Sequence, residues 1–232
     1  MKMLQKHILE IRFTPTPSIV DKRGVIAESL VGELLNGWSI GNNRINFTNK
    51  ENKNFGAFVS YKNFGFISES PNNTDFFSEN SKDFVKKIWN YIPTGKITRI
   101  GVRSTYLVEQ SNFEKALENL KKEFLNLNGG KLEKFGGELV DVGLPLNFKE
   151  GDVKFNINFG VMEKEQSSQF FIDEESVPDC GVFIDVDYFQ DDNFSSVSTK
   201  QSNILQFIDN GLTKSKSVME TILDLVSVKE SK

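Results

Sequence analysis

The feature that most constrains this chain is an order of elements that occurs twice. In each half, an alternating strand pattern precedes an amphipathic helix, a run of short strands and a second helix. The first half opens with ILEIRF at 8–13, and the second opens with the alternating stretch at 97–108. Because short strands joined by short turns pair antiparallel, this order predicts an α+β fold with helices packed on one face of its sheets.

The elements predicted for the first half follow from capping and periodicity. Ser18 and Asp21 form a start that resembles a capping box, and apolar residues at helical spacing continue until Gly37. Residues 84–92 carry a second helical stripe, which Pro93 ends. Between the two helices the pattern predicts short strands at 38–40, 44–48, 56–61 and 64–69, with a tight turn at Lys62-Asn63.

The second half repeats the pattern. Ser111 and Glu114 form a capping box for a helix that residues 128–130 end. The strands predicted after this helix lie at 138–146, 153–162 and 182–189. Two alternatives stay open for a fourth strand. Either a weak strand lies at 169–172, or the long first segment bends and forms two strands. A closing helix spans 200–226, and Gly211 is expected to weaken it by ~1 kcal/mol relative to Ala.

The two halves are predicted to be an internal duplication, at 1–95 and 96–232, that packs closely, with a single domain as the alternative. The segment LEIRF at 9–13 aligns with IGVRS at 100–104, which pairs Arg12 with Arg103. Each β-α-β(3-4)-α half is expected to form a curved antiparallel sheet, as in TBP-like (TATA-binding-protein-like) and helix-grip-like folds. Two such units side by side would make one wide sheet.

Composition excludes several kinds of chemistry. The single histidine, His7, and the single cysteine, Cys180, exclude an internal disulfide, a structural zinc site and any metal site with two histidines. A serine or cysteine triad would have to use His7, far in sequence from Cys180, so we predict no catalytic residue. The glycines at 129–137 lack the spacing of a phosphate-binding loop, and no cofactor or metal is predicted.

Charge and hydropathy limit the classes of partner and the cellular location that the sequence predicts. A net charge of −4 makes nucleic acid the partner that the sequence favours least. No stretch approaches the ~20 apolar residues of a membrane span, and the first residues lack the apolar run of a signal peptide. With one cysteine in the chain, we predict a cytoplasmic location.

Four segments together resemble a family of uncharacterised prokaryotic proteins that is distributed sporadically across bacteria and archaea. They are ILEIRF, RIGVRSTYLVE at 99–109, VFIDVDYF at 182–189 and ILQFIDNGLTKSKSVMETIL near the end. The central motif of the family usually reads RIGLRYxNR, and this chain departs from its Tyr-x-Asn-Arg portion at 104–109. The resemblance implies no activity and no site residues. The sporadic distribution implies an association with mobile or antiviral-defence genes.

The stretch CGVFIDVDYF at 180–189 places two carboxylates on one side of a strand. Asp185 and Asp187 alternate with apolar residues, so both point to the same face. A D-x-D pair on a strand is able to bind Mg²⁺ when neighbouring elements supply further ligands. The neighbouring strand offers Arg99 and Arg103 instead, which favours cross-strand Arg–Asp pairs that stabilise a half-solvated face.

Arg12 and Arg103 occupy matching places in the two halves. Two guanidinium groups in one groove would be able to clamp a carboxylate or phosphate. The simpler interpretation is that they pair with Glu10, Asp185 or Asp187.

The sequence therefore predicts a non-enzymatic protein whose sheets bind another protein, with a second copy of the chain as one such partner in a homodimer. The alternative is a small-molecule or nucleotide-binding protein, with an Mg²⁺-dependent enzyme as one form of it. Its ligand would lie in a groove formed by Arg12, Arg103, Asp185 and Asp187.

Overall fold

A computed structural model describes residues 2–69, 74–92, 97–125, 134, 136, 139–191 and 200–226. The strands are β1 (Met3–Phe13), β2 (Gly37–Ile40), β3 (Arg44–Thr48), β4 (Phe55–Ser60), β5 (Asn63–Glu69), β6 (Ile97–Glu109), β7 (Gly143–Glu150), β8 (Val153–Glu163) and β9 (Cys180–Asp191). The helices are α1 (Ser18–Asp21), α2 (Arg23–Leu30), α3 (Thr74–Ile88), α4 (Phe113–Phe124), α5 (Lys164–Ser167) and α6 (Gln201–Val226). Short 3₁₀ turns lie at Trp89–Tyr91, Ser168–Phe170 and Glu174–Ser176.

The strands form one antiparallel sheet of nine strands, in the order β2-β3-β4-β5-β1-β6-β9-β8-β7. Strands β1 and β6 pair near the centre, from Met3 opposite Val108 to Arg12 opposite Arg99. On each side of this pair, the last strand of a meander lies beside the long strand that precedes the meander in sequence, β5 beside β1 and β9 beside β6. The predicted mixture of helices with antiparallel strands is confirmed, and the division at 95/96 stays a prediction.

Side chains alternate between the two faces of the sheet, and one face carries the core. Leu9, Ile11, Ile100 and Val102 are almost fully buried there, in a cluster that includes residues of α2, α3 and α6. A second cluster joins β8 and β9 to α4 and the end of α6. We call this side the helical face and the opposite side, which carries Glu10, Arg12, Arg99 and Arg103, the open face.

Helix α6 lies across the middle of the helical face, against β6 and β9. Gly211 permits its close approach, because a Cβ atom there would lie 2.9 Å from Val102 Cβ and 3.0 Å from Tyr188 Cδ1. The glycine that we expected only to weaken the helix therefore sets the distance between helix and sheet. No helix in the described ranges has both the length and the hydropathy needed to cross a membrane.

The connection between β8 and β9, at 164–179, crosses one end of the open face; we call it the crossover segment. The Phe170 ring lies 4.6 Å from the Phe183 ring, measured between centroids. Its backbone is held from the first half of the chain, since Glu69 Oε1 accepts the Ile172 N–H at 2.6 Å and Lys6 Nζ donates to the Phe170 carbonyl at 3.0 Å. The strand considered at 169–172 is therefore wrong, because this segment packs onto the face of the sheet instead of pairing at an edge.

The first predicted helix is shorter than its apolar pattern. It breaks into α1 and α2 at Lys22 and ends at Leu30, because Val31 adopts extended backbone angles. Leu34 thus packs against the core from a loop. The predicted cap is also wrong, since Pro17 occupies the N-cap position of α1 and makes no side-chain cap.

In the second half, two predicted boundaries move and others cannot be compared. Helix α4 is capped by Asn112, whose Oδ1 accepts the Lys115 N–H at 2.7 Å, so the predicted Ser111 cap is wrong. Strand β7 begins at Gly143, several residues later than predicted. The expected helix stops at Pro93 and at 128–130, and most of the glycine-rich stretch at 129–137, lie outside the described residues.

Candidate binding face

The middle of the open face is a layer of polar side chains held by hydrogen bonds. Its members come from strands β5, β1, β6 and β9, which lie side by side in the sheet. Most opposite-facing residues of the same strands are buried apolar side chains, so alternation places the charges on the open face. The members are Asn63, Glu10, Arg12, Arg99, Arg103, Thr105, Asp185 and Asp187.

Asp185 is the most fully bonded carboxylate of this layer. Arg103 donates to it three times, from Nε to Oδ1 at 2.8 Å and to Oδ2 at 3.1 Å, and from Nη2 to Oδ2 at 2.8 Å. The Thr105 hydroxyl adds a fourth bond, to Oδ1 at 2.8 Å. The side chain of Asp185 is 11% exposed, whereas that of Arg103 is 51% exposed. The hydrogen bonds that Arg103 donates to Asp185 raise the pKa of Arg103, and burial opposes this in part.

Asp187 is bound by an arginine of β6 that is not its cross-strand partner but lies four residues farther along that strand. Arg99 Nη2 donates to Asp187 Oδ2 at 2.8 Å, while the Arg99 guanidinium carbon lies 4.6 Å from the centroid of the Phe189 ring. Burial raises the pKa of Asp187, and the attraction of Arg99 and Arg103 offsets this only in part. Ionised Asp187 is therefore less favourable in the folded chain than in water.

Arg12 forms a pair within its own strand. Its Nη2 and Nε donate to Glu10 Oε2 at 2.7 Å and 3.0 Å, and Asn63 Nδ2 donates to the other carboxylate oxygen at 2.7 Å. Arg99 Nη1 is 3.7 Å from Glu10 Oε2. Burial alone would raise the pKa of Glu10, but the hydrogen bonds from Arg12 and Asn63 and the nearby arginines lower it.

The four predicted site residues lie on one face but do not surround one point. Arg103 stands opposite Ile8, and Arg12 stands opposite Arg99. Arg12 and Arg103 are therefore four strand positions apart, roughly 13 Å along the sheet. The two guanidinium groups are instead bonded to different carboxylates, Arg12 to Glu10 and Arg103 to Asp185. Each of the four side chains has a partner of opposite charge, and a ligand role for them stays a prediction.

Arg44 is a member of this face that the sequence reasoning missed. Its guanidinium carbon lies 3.9 Å from the centroid of the Phe58 ring. Phe58 is buried although it points to the open face, because Gly65 on the next strand leaves room for its ring. The alternation in RINFT was the available signal, because it turns Arg44 and Asn46 to one face of the sheet and the buried Ile45 and Phe47 to the other.

His7 lies on the helical face, away from this layer. Its Nδ1 is hydrogen-bonded to Ser104 Oγ at 2.9 Å, and its ring lies between Phe77 and Tyr106. Nε2 is buried without a hydrogen-bond partner among the described residues. Burial lowers the pKa of His7 to about 4, so the ring is neutral near pH 7.

The remaining reactive groups do not gather with His7. Cys180 Sγ donates to the Gln110 carbonyl at 3.2 Å, and burial together with neighbouring carboxylates raises the pKa of its thiol. Within the described part of the chain, no three side chains of His, Cys, Asp or Glu lie close enough together to hold one metal ion.

The fold and the site together define a class: a mixed helix-and-strand protein with one antiparallel sheet, helices on one face and a hydrogen-bonded polar layer on the other. No protein-family model matches the chain. No curated protein is significantly similar to it.

Proposed function

We propose that the open face is a protein-binding surface and that the chain works as a non-enzymatic interaction module. The observation that carries this proposal is the polar layer itself, which lies on strands whose other face is fully packed with helices. Half-exposed guanidinium groups, such as those of Arg12 and Arg103, still have N–H donors directed away from their carboxylate partners.

The geometry supports such a role because the side chains are held in place before any partner arrives. Arg103 is fixed by three contacts to Asp185, and Arg12 by two contacts to Glu10. Side chains that are already ordered lose less conformational entropy on binding. They also sit on strands, which position them more rigidly than loops would.

Other parts of the proposal rest on the sequence. The order of the sheet supports a duplication of β-α-β(3-4)-α halves in a TBP-like arrangement, because each half places its last strand beside its first. We further propose a cytoplasmic protein of the sporadically distributed prokaryotic family, associated with mobile or defence genes. A second copy of the chain is one candidate partner.

Site-specific photo-crosslinking in the native host tests the binding surface. Thr48 and Asn156 are exposed on the open face, in different halves of the sheet, and Glu118 and Glu220 are exposed on the helices. A crosslinking side chain at each open-face position is expected to capture the same protein, while the helix positions do not capture it. Equal capture from both sides, or none from the open face, would refute the proposal. A crosslinked dimer would identify the partner as a second copy.

The alternative hypothesis is a small-molecule or nucleotide site, and it predicts a different result when Asp185 and Asp187 are both replaced by Asn. If Asp185 and Asp187 bind a cation or nucleotide, the double change to Asn abolishes that binding and leaves stability nearly unchanged. If they serve as partners of Arg103 and Arg99, the double change lowers stability and leaves no ligand binding to lose. Titration with Mg²⁺ and nucleotides, followed by calorimetry, distinguishes the two.

A further inference from the structure

The end of the open face away from the crossover segment carries a row of arginines that cross-strand pairing brings together. Arg44 stands opposite Ser60 on β4, and Ser60 is hydrogen-bonded to Asn63 on β5. Asn63 stands opposite Arg12, which stands opposite Arg99. We call these five residues the guanidinium row. It crosses five neighbouring strands, which corresponds to roughly 19 Å.

Positive charge is in excess at this end of the face. The guanidinium row, Asp191 opposite Arg99, and the next row of side chains on the open face together hold five cations and two carboxylates. The whole chain, by contrast, has a net charge of −4. The cations are Arg44, Arg12, Arg99, Lys154 and Lys149, and the carboxylates are Glu10 and Asp191.

Arg44 is the arginine of the row that lacks a carboxylate. Its guanidinium lies on the Phe58 ring, and it forms no ion pair with any carboxylate in the described ranges. Burial lowers the pKa of Arg44, and distant Glu10 offsets this only in part. The ring fixes the plane of the guanidinium, so its N–H donors are oriented and open to a partner.

We propose that the guanidinium row binds an acidic segment of the partner protein, whose carboxylates bond to Arg44 and to the outward donors of Arg12. This inference rests on the proposed function and specifies the chemistry of the partner. About six residues of extended chain span the length of the row. Bidentate bonds between guanidinium and carboxylate groups give such contacts their geometric specificity.

A nucleic acid fits this surface less well. Two aromatic rings beside the row, Phe58 and Phe189, are 7% and 8% exposed and lie under guanidinium groups, so they offer no platform for stacked bases. Beyond the row, Asp185 and Asp187 would repel a phosphate backbone that continued across the face.

Binding of a fluorescein-labelled oligo-glutamate peptide, followed by anisotropy at low salt, tests the inference. The wild-type chain is expected to bind the peptide, with affinity that falls as NaCl rises. Arg44→Gln is the central variant, because no described carboxylate loses an ion-pair partner when Arg44 is replaced. The double variant Arg44→Gln with Arg12→Gln is expected to weaken binding of the peptide about tenfold. The matched control, Lys115→Gln with Lys122→Gln, removes the same charge from exposed positions of α4 and is expected to change binding less than about twofold.

Three outcomes would overturn the inference: no binding of the peptide by the wild-type chain, equal weakening by the control, or tighter binding of an oligo-thymidine of equal charge. Thermal unfolding of each variant checks that the fold is intact. The failure of this inference is distinguishable from that of the proposed function. If the protein captured from Asn156 is captured equally well after Arg12→Gln and Arg44→Gln, the open face still binds a partner but not through this row.

Discussion

Arg99 donates a hydrogen bond to Asp187, although the residue directly opposite Arg99 on β9 is Asp191. Its side chain reaches this distance by passing over Gly101, whose hypothetical Cβ would lie 3.6 Å from the Arg99 guanidinium carbon. The two ion pairs between β6 and β9, Arg99 with Asp187 and Arg103 with Asp185, therefore run diagonally across the strands.

Two glycines of this face, on β5 and β6 at either side of β1, are expected to respond differently to the same substitution. A Cβ at Gly65 would lie 2.3 Å from the Leu9 carbonyl oxygen and 2.7 Å from the Phe58 ring, whereas the nearest atom to a Cβ at Gly101 is 3.5 Å away. Gly65→Ala is expected to lower the free energy of unfolding by about 3 kcal/mol, and Gly101→Ala by less than about 1 kcal/mol. Urea unfolding followed by circular dichroism measures both. Similar losses for the two variants would contradict this account.

The two aspartates of the open face are also expected to differ. Asp185→Asn removes a carboxylate that accepts bonds from Arg103 and Thr105, and we expect it to lower the free energy of unfolding by about 1 kcal/mol, since Arg103 is half-exposed. Because burial raises the pKa of Asp187 above its usual 3.8, its ionisation opposes folding as pH rises through that region. Asp187→Asn is therefore expected to be neutral or slightly stabilising near pH 7.

Urea unfolding of the two Asn variants at neutral pH measures this difference. A larger loss for Asp187→Asn than for Asp185→Asn would show that the contact with Arg99 outweighs the burial of Asp187.

Burial of His7 is expected to make stability depend on pH. Its pKa is about 4 in the folded chain and 6.5 when unperturbed, so the unfolded chain binds the proton first as pH falls. The contribution is complete above pH 6.5 and is lost between that value and about 4. Linkage predicts a loss of about 2 kcal/mol between about pH 7 and pH 5.

The matched variant for this prediction is His7→Gln, which keeps a polar side chain but cannot titrate. Its free energy of unfolding is expected to be lower throughout, yet to change less with pH across the same range. Parallel pH profiles for the wild-type chain and the variant would exclude His7 as the source.

Gly211 is expected to be essential where helix propensity alone favours alanine. In an exposed helix Gly→Ala stabilises by about 1 kcal/mol. Here the added Cβ would lie 2.9 Å from Val102 and 3.0 Å from Tyr188, so we expect a net loss of about 2 kcal/mol. The neighbouring, exposed Asn210→Ala serves as the control and is expected to stabilise slightly. Thermal unfolding of both variants checks the sign, and a more stable Gly211→Ala would show that α6 is free to move outward.

Much of the strand pattern was accessible from the sequence, because alternation with a period of two is a local property. Strand β3 was predicted with the bounds that the structure has, and the sidedness of Asp185 and Asp187 followed from the same alternation. The helix boundaries were less accessible. The apolar stripe after Leu30 continues with Leu34, which reaches the core without helical backbone, and periodicity does not distinguish these two routes to burial.

The sequence by itself determined which side chains belong to the core and which to the polar face, since a strand turns alternate residues to opposite sides whatever its neighbours are. Only the tertiary structure decided which charges meet. The order of the strands brings Arg44, Arg12 and Arg99 into one row. The register of β6 and β9 places Asp185 within hydrogen-bonding distance of Arg103, and Asp187 within hydrogen-bonding distance of Arg99. Such contacts depend on strand order and register across distant parts of the chain, which local periodicity does not encode.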